Sequence, residues 1–341
     1  MHNPYVYKEP LKGRAGFFNR LSEYMRIISR SAADSPQSVS VVGGPRMGKT
    51  SLLNYLCDPA QRARYLNDPL RYVFLCLYLK EKPPDSPEAF FSQMRAALQD
   101  CGQGTMVPTY DGFVALVEQL MQEGRKLVIF CDDFDQVTLH PGFPLDFFSF
   151  LRAIANSNDV GYVTTSYAPL QQLCHTPAIE ESPFFNVFTT VNLEAFQPEE
   201  ARKLVEEPAR ASGSPFGAEA DWILELGGMF PYLLQLTAAV AFEERTAGRL
   251  SKEVLAERAF REARAHLELI WEKHFPAAQQ EVMRAVATGK TFEDRYQYAA
   301  ESLERREYLR RNGEGYVFTA ALVERFVQEC GRGGFWKRLL S

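Results

Sequence analysis

Ser38-Val39-Ser40-Val41-Val42-Gly43-Gly44-Pro45-Arg46-Met47-Gly48-Lys49-Thr50-Ser51-Leu52-Leu53 decides how the rest of the chain is read. The valine-rich run predicts a buried strand, and Lys49 onward, with its paired leucines, predicts the first turns of a helix. Between them Gly43, four residues, Gly48, Lys49 and Thr50 have the spacing of a phosphate loop. Glycine lets the backbone come close to a ligand, so that successive N–H groups converge on phosphate oxygens. A helix beginning near Lys49 points its positive dipole end at the same anion. Lys49 would reach the β- and γ-phosphates, and the Thr50 hydroxyl would enter a Mg²⁺ shell that keeps several waters. The competing reading is a glycine turn with an incidental lysine; the strand before it and the helix after it favour the phosphate loop.

Outward from this loop, Arg71–Leu79 predicts a second strand and Ser86-Pro87-Glu88 a capped helix start, with another helix over Asp111–Met121. Leu127–Cys131 predicts a third strand, which runs into Asp132-Asp133-Phe134-Asp135. A helix over Leu145–Ile154 and strands at Gly161–Thr165 and Val187–Val191 continue the alternation. Strands alternating with helices imply a parallel sheet covered on both faces, with ligands bound beyond the C-terminal strand ends. In that arrangement Asp132 would support Mg²⁺ beside the loop, and Asp133 would orient or deprotonate an attacking water. An ordinary polar loop after a strand is the alternative. Thr165 and Ser166, at the end of the next strand, could sense a γ-phosphate or could simply be good strand formers.

At 341 residues the chain predicts two or three domains. A net charge of −5 argues against a surface that mainly tracks nucleic acid, and 46% hydrophobic residues are enough for real cores. The six cysteines lack CxxC pairing and read as small reduced core residues, neither metal ligands nor disulfides. The N-terminal residues show no secretory pattern, and the longest apolar stretches are too short to span a bilayer, so a cytoplasmic location is expected. Phe17, Leu21, Tyr24 and Met25 predict an amphipathic lead-in helix over the sheet edge, ended by the Pro36 linker. After Asn192 the pattern turns helical. From near Pro276 three helices and then a hairpin at Asn312-Gly313 suggest a winged helix.

Gly13-Arg14, the phosphate loop, the strand ending in Asp132-Asp133, the paired Thr164-Thr165 and Gly227-Gly228-Met229-Phe230-Pro231 together resemble the STAND branch of AAA+-like P-loop ATPases. The resemblance implies an α/β fold. A P-loop αβα nucleotide-binding domain with a parallel sheet would span 1–192, a helical lid 193–275 and a winged helix 276–330, with 331–341 a tail or linker. It implies ATP or ADP with Mg²⁺ and slow hydrolysis, and exchange that drives self-association or engages a protein effector. It places Arg14 near the base and Pro231 on the adenine, although Pro231 is equally suited to begin a helix. Two departures stand out: Ser166 and Tyr167 occupy the place where relatives often carry arginine, and two residues separate Gly228 from Pro231. The rival reading is a DNA-associated ATPase whose Arg305, Arg306, Arg310 and Arg311 contact phosphates. Interleaved Glu301, Glu304, Glu307 and Glu314 fit a solvated face or a domain contact better.

Overall fold

The computed structural model describes residues 2–11, 17, 19–100, 109–156, 159–313 and 315–331. They form two compact units, one of 11–44 and 48–193, the other of 2–10, 45–47 and 194–331.

The first unit is a five-stranded parallel sheet of β1 (Ser38–Val42), β2 (Tyr72–Tyr78), β3 (Lys126–Asp132), β4 (Val160–Ser166) and β5 (Phe188–Asn192), in the order β2-β3-β4-β1-β5. Its helices are α1 (Leu21–Ser31), α2 (Lys49–Cys57), α3 (Pro87–Asp100), α4 (Tyr110–Gln122) and α5 (Leu145–Ala155). Successive strand side chains point to opposite faces, and that alternation divides the core in two. Leu75, Leu77, Ile129 and Cys131 join Phe90, Phe91, Phe113 and Phe147 on one side. Phe74, Val128 and Phe130 join Tyr24, Ile27, Leu52 and Leu53 on the other. All five residues of β1 are buried, as expected of a strand covered on both faces.

Two expectations are corrected here. Helix α1 packs on the sheet face next to β1 and α2 and buries Tyr24, Ile27 and Ile28, while Leu21 and Met25 stay 54% and 40% exposed. Helical spacing alone left open which apolar face turns inward. Cys57 and Cys76 are disulfide-bonded, not reduced. Cys57 ends α2 and Cys76 lies on the β2 face that α2 covers, so the pair meets although 19 residues separate it in sequence. Cys131 is free and buried, Cys174 and Cys330 are free and partly buried, and Cys101 lies outside the described residues.

The second unit is mainly helical. It holds α6 (Pro198–Ala211), α7 (Glu219–Gly227), α8 (Pro231–Thr246), α9 (Lys252–His274), α10 (Ala277–Ala287) and α11 (Gln297–Arg305), then β6 (Leu309–Asn312), β7 (Gly315–Phe318) and α12 (Ala321–Gly331). Helix α8 is buried from Leu233 through Phe242, which explains why it lacks a polar stripe. The N-terminal segment straps onto this unit: the Tyr5 hydroxyl donates to the Val205 carbonyl and the Asn3 amide to the Ala239 carbonyl at 3.0 Å. The hairpin is where Asn312-Gly313 predicts it, with antiparallel β6 and β7 and Gly313 at φ 62°. The expected run of three helices before it is corrected to α10, a single 3₁₀ turn at Asp294–Tyr296, and α11; the third helix, α12, follows the hairpin. Gly289, at φ 66°, closes α10 and leaves a polar loop that cannot continue as helix. Among the described residues no helix is long and apolar enough to cross a membrane.

The disulfide closes a loop of about 20 residues, and a crosslink of that size stabilises by about 3 kcal/mol, largely by restricting the unfolded chain. Replacing Cys57 and Cys76 together with serine is expected to lower the unfolding free energy by about that amount, measured by denaturant titration against the oxidised wild type. Alkylation of the unfolded protein without reductant, read by mass analysis, is expected to leave two cysteines unmodified, and four further cysteines labelled.

Candidate functional site

The loop between β1 and α2 begins with the Gly43 N–H donating to the Ser166 carbonyl at 3.1 Å, which ties the tips of β1 and β4 together. Gly48 is the N-cap of α2 with φ 92°, and Arg46 also adopts a left-handed conformation, φ 62°. Both turn the chain sharply; the flexibility expected of Gly43 and Gly44 is not used for positive φ. Lys49 is only 8% exposed, and its Nζ donates to the Gly43 and Gly44 carbonyls at 2.8 and 3.1 Å. Those carbonyls satisfy an ammonium that could instead hold phosphate oxygens. Ser51 turns the other way: its Oγ accepts from the Leu11 N–H at 3.1 Å.

The acidic tip of β3 converges on the same place. The Thr165 hydroxyl donates to Asp132 Oδ1 at 2.6 Å and accepts from the Asp133 N–H at 2.8 Å. Thr50, in the first turn of α2, joins Thr165 in opposing the upward push of burial on the Asp132 carboxyl. The Thr165 bond ties the tips of β3 and β4 together at Asp132. Asp133 has φ 51°, a left-handed conformation that aspartate tolerates better than most residues, and Phe134 then bonds back to the Thr165 carbonyl at 2.8 Å. Asp135, 5% exposed, opens a single helical turn with its Oδ1 unpartnered.

Burial dominates the electrostatics. It pulls Lys49 below the usual ammonium range against the opposing pull of Asp133, Asp132 and Asp135. It pushes Asp132 up, opposed by the Thr165 hydrogen bond. Asp135 is pushed up to about 6 by burial and by Asp133. A site with an orphaned carboxylate oxygen, an ammonium resting on carbonyls, and Asp132 oriented by Thr165 fits a Mg²⁺-bearing nucleotide. Among the described residues no group of three or more His, Cys, Asp or Glu is arranged to hold a metal by itself. Mg²⁺ usually takes one or two carboxylates and completes its shell with water and phosphate oxygens, so Thr50 and Asp132 are the residues that would hold it. Asp135 and Lys80 are the groups that motif reading passed over. The signals available were the third aspartate of Asp132-Asp133-Phe134-Asp135 and a lysine just past a strand end.

The remaining candidates lie in the second unit. Pro231 is the first residue of α8, and the Arg46 guanidinium sits over the adjoining Tyr232 ring at 5.3 Å while donating to the Lys8 carbonyl at 3.1 Å. His266 meets the same ring edge-on at 4.4 Å and is held near pKa 4 by burial, Arg46 and His274. Gly227 and Gly228 have packing reasons: a Cβ on Gly227 would lie 3.0 Å from the Leu234 nitrogen, and one on Gly228 2.9 Å from Ala320 Cβ. Pro45 and Met47 belong to this unit with Arg46. Arg14 lies outside the described residues, as do Glu314 and the tail from residue 332. Of the four basic residues by the hairpin, Arg306 is built into the fold, over the Phe275 and Tyr308 rings and bonded to Gln279 Oε1 at 2.9 Å. Arg311 pairs with Glu304 at 3.2 Å, whereas Arg305 and Arg310 are exposed.

A parallel sheet in this strand order, a phosphate loop after β1 and an acidic tip on β3 define a P-loop NTPase. The chain belongs to the family described as Novel STAND NTPase 2, nSTAND2, which matches residues 33–292. Its fold is similar to that of the Walker-type ATPase PABY2304 of Pyrococcus abyssi, with a TM-score of 0.66 and 14% identity over 94% of this chain and 99% of that one. It is also similar to the Aeropyrum pernix ORC2 protein in its ADPNP–ADP complexes, with a TM-score of 0.63 and 13% identity over 95% and 96%. At such identities the likeness concerns the fold. No curated protein sequence matches this chain.

Thr165→Val would remove one partner of a buried carboxylate and orphan the Asp133 N–H, at a cost of roughly 2–4 kcal/mol. Urea denaturation is expected to register that loss, with Thr165→Ser within about 1 kcal/mol of wild type.

Proposed function

We propose that this chain is a Mg²⁺-dependent, ATP- and ADP-binding STAND switch whose main output is a change of conformation and self-association. The observation that carries the reading is the Thr165–Asp132 hydrogen bond at two neighbouring strand tips, together with a buried Lys49 ammonium turned onto the phosphate-loop carbonyls. A nucleotide's phosphates would end among these groups, which come from α2, β3 and β4, so occupancy there bears on three elements at once.

The loop amides from Gly43 to Ser51 and the α2 dipole would hold the phosphates, and Lys49 would exchange its carbonyl partners for β- and γ-oxygens. Thr50 and Asp132 would hold Mg²⁺, which supplies charge neutralisation to the phosphates when bound. Thr165 keeps Asp132 oriented. Asp133, set by its left-handed backbone, would position the attacking water and take its proton. Aspartate is one methylene shorter than glutamate, which accords with slow turnover. Residues 193–275 are read as the lid and 276–330 as a winged helix, with Pro231 and Arg14 near the base. That the ORC2 relative is described in ADPNP–ADP complexes supports a site open to both nucleotides. Duplex binding is not favoured, because Arg306 and Arg311 are already engaged within the fold.

Titration calorimetry of the full chain with Mg–ADP and Mg–ATP is expected to give tight binding, weakened roughly 100-fold by Lys49→Ala, which loses two charge-assisted contacts. Mass photometry is expected to find larger assemblies with a non-hydrolysable ATP analogue than with ADP. Equal masses with both nucleotides bound would exclude a switch by assembly.

A further inference from the structure

Lys80 lies outside every motif considered above, yet the sheet delivers it to the site. Parallel pairing sets Tyr78 of β2 opposite Asp132 of β3, and the next residue, Leu79, donates its N–H to the Asp132 carbonyl at 3.3 Å. Leu79 is fully buried, which anchors the chain one residue before Lys80; Lys80 itself is exposed. The register thus places Lys80 two residues past the partner of Asp132, on the same rim of the sheet.

Two ammonium groups brought to one rim repel each other. Such a pair becomes favourable when an anion lies between or beside both charges. Lys49 is committed to the loop, on the β1 side. Lys80 comes from the opposite flank, past the tip of β3, where the far end of a polyphosphate held by the loop would point. No other cation is supplied from the end of β4: Ser166 donates its hydroxyl to the Ala168 carbonyl at 2.7 Å, and Tyr167 follows it.

We propose that Lys80 is the second phosphate cation of this site, contacting the terminal phosphate of a nucleoside triphosphate and so distinguishing it from the diphosphate. The inference rests on the phosphate-loop reading above and extends it. In hydrolysis the water oxygen bonds to the γ-phosphorus as the bond to the β,γ-bridging oxygen breaks. The electron pair leaves on the diphosphate, the water's proton passes to a site carboxylate, and no oxidation state changes. Lys80 balances the charge on the phosphoryl oxygens during that transfer.

The test is calorimetry of the full chain with Mg–ADP and with Mg–adenylyl imidodiphosphate, on wild type, Lys80→Met and Lys80→Arg, with a thermal melt of each. Lys80→Met is expected to weaken the triphosphate analogue about tenfold and ADP less than about twofold, while Lys80→Arg keeps the wild-type ratio within about threefold. Wherever wild type turns over, Lys80→Met is expected to lower kcat at least about tenfold. An unchanged ratio of the two affinities in a folded Lys80→Met protein overturns the proposal and leaves the phosphate-loop reading standing; so does an equal weakening of both nucleotides, which marks a general field and no terminal-phosphate contact. Absence of nucleotide binding in wild type, or binding unaffected by Lys49→Ala, overturns the phosphate-loop reading and the Lys80 role with it.

Discussion

A buried ammonium and two buried carboxylates share the C-terminal rim of one sheet with the half-buried Asp133, and no buried one could sit there alone. Desolvation costs a lone buried charge several kcal/mol, so Lys49, Asp132 and Asp135 depend on one another and on the groups around them. The consequences spread through the fold. Gly48 and Arg46 take left-handed backbone so that Lys49 can turn back onto the Gly43 and Gly44 carbonyls. Thr165 is held at the end of β4 to serve Asp132 and the Asp133 N–H together. The rim still carries a buried Asp135 oxygen without a hydrogen-bond partner.

Around that rim the protein is conservative. Phenylalanines fill one face of the sheet, aliphatic residues and tyrosines the other, and the strand order puts the loop of β1 beside β4, with β3 next in line. The disulfide joins the far end of α2 to β2, so the helix that begins at the phosphate loop is secured at its other end by a covalent bond. In the second unit, what looks like a ligand motif has a packing explanation for part of its length. Gly227 and Gly228 are required by the close approach of α8 and of the segment before α12. Pro231 starts a helix, and Tyr232 beside it carries the Arg46 guanidinium.

The fold class, the five strands to within a residue or so, the loop joining β1 to α2 and the place of Asp132 at the tip of β3 were legible in sequence because each rests on local spacing: strand alternation, a glycine-lysine interval, a carboxylate closing an apolar run. The buried face of α1 was not, since Leu21 and Tyr24 both suit an apolar stripe and only the sheet decides between them. Sequence left Arg306 open between a solvated face or domain contact and, in the rival reading, a phosphate contact; the Phe275 and Tyr308 rings and Gln279 enclose it within the fold. The cysteine pair was invisible because α2 and β2 meet through the sheet, not through neighbouring sequence.

By itself, then, the sequence determined that a strand, a phosphate loop and a helix follow one another, and that an acidic pair ends a later strand. Short-range geometry and hydrophobic period are enough for that. Only the tertiary structure decided which distant groups act together. Lys80 and Thr165 are brought to the rim of Asp132 through parallel strand pairing, whose partners lie a whole helical crossover apart along the chain. Electrostatic coupling depends on separation in space, and no local pattern in a sequence records that distance.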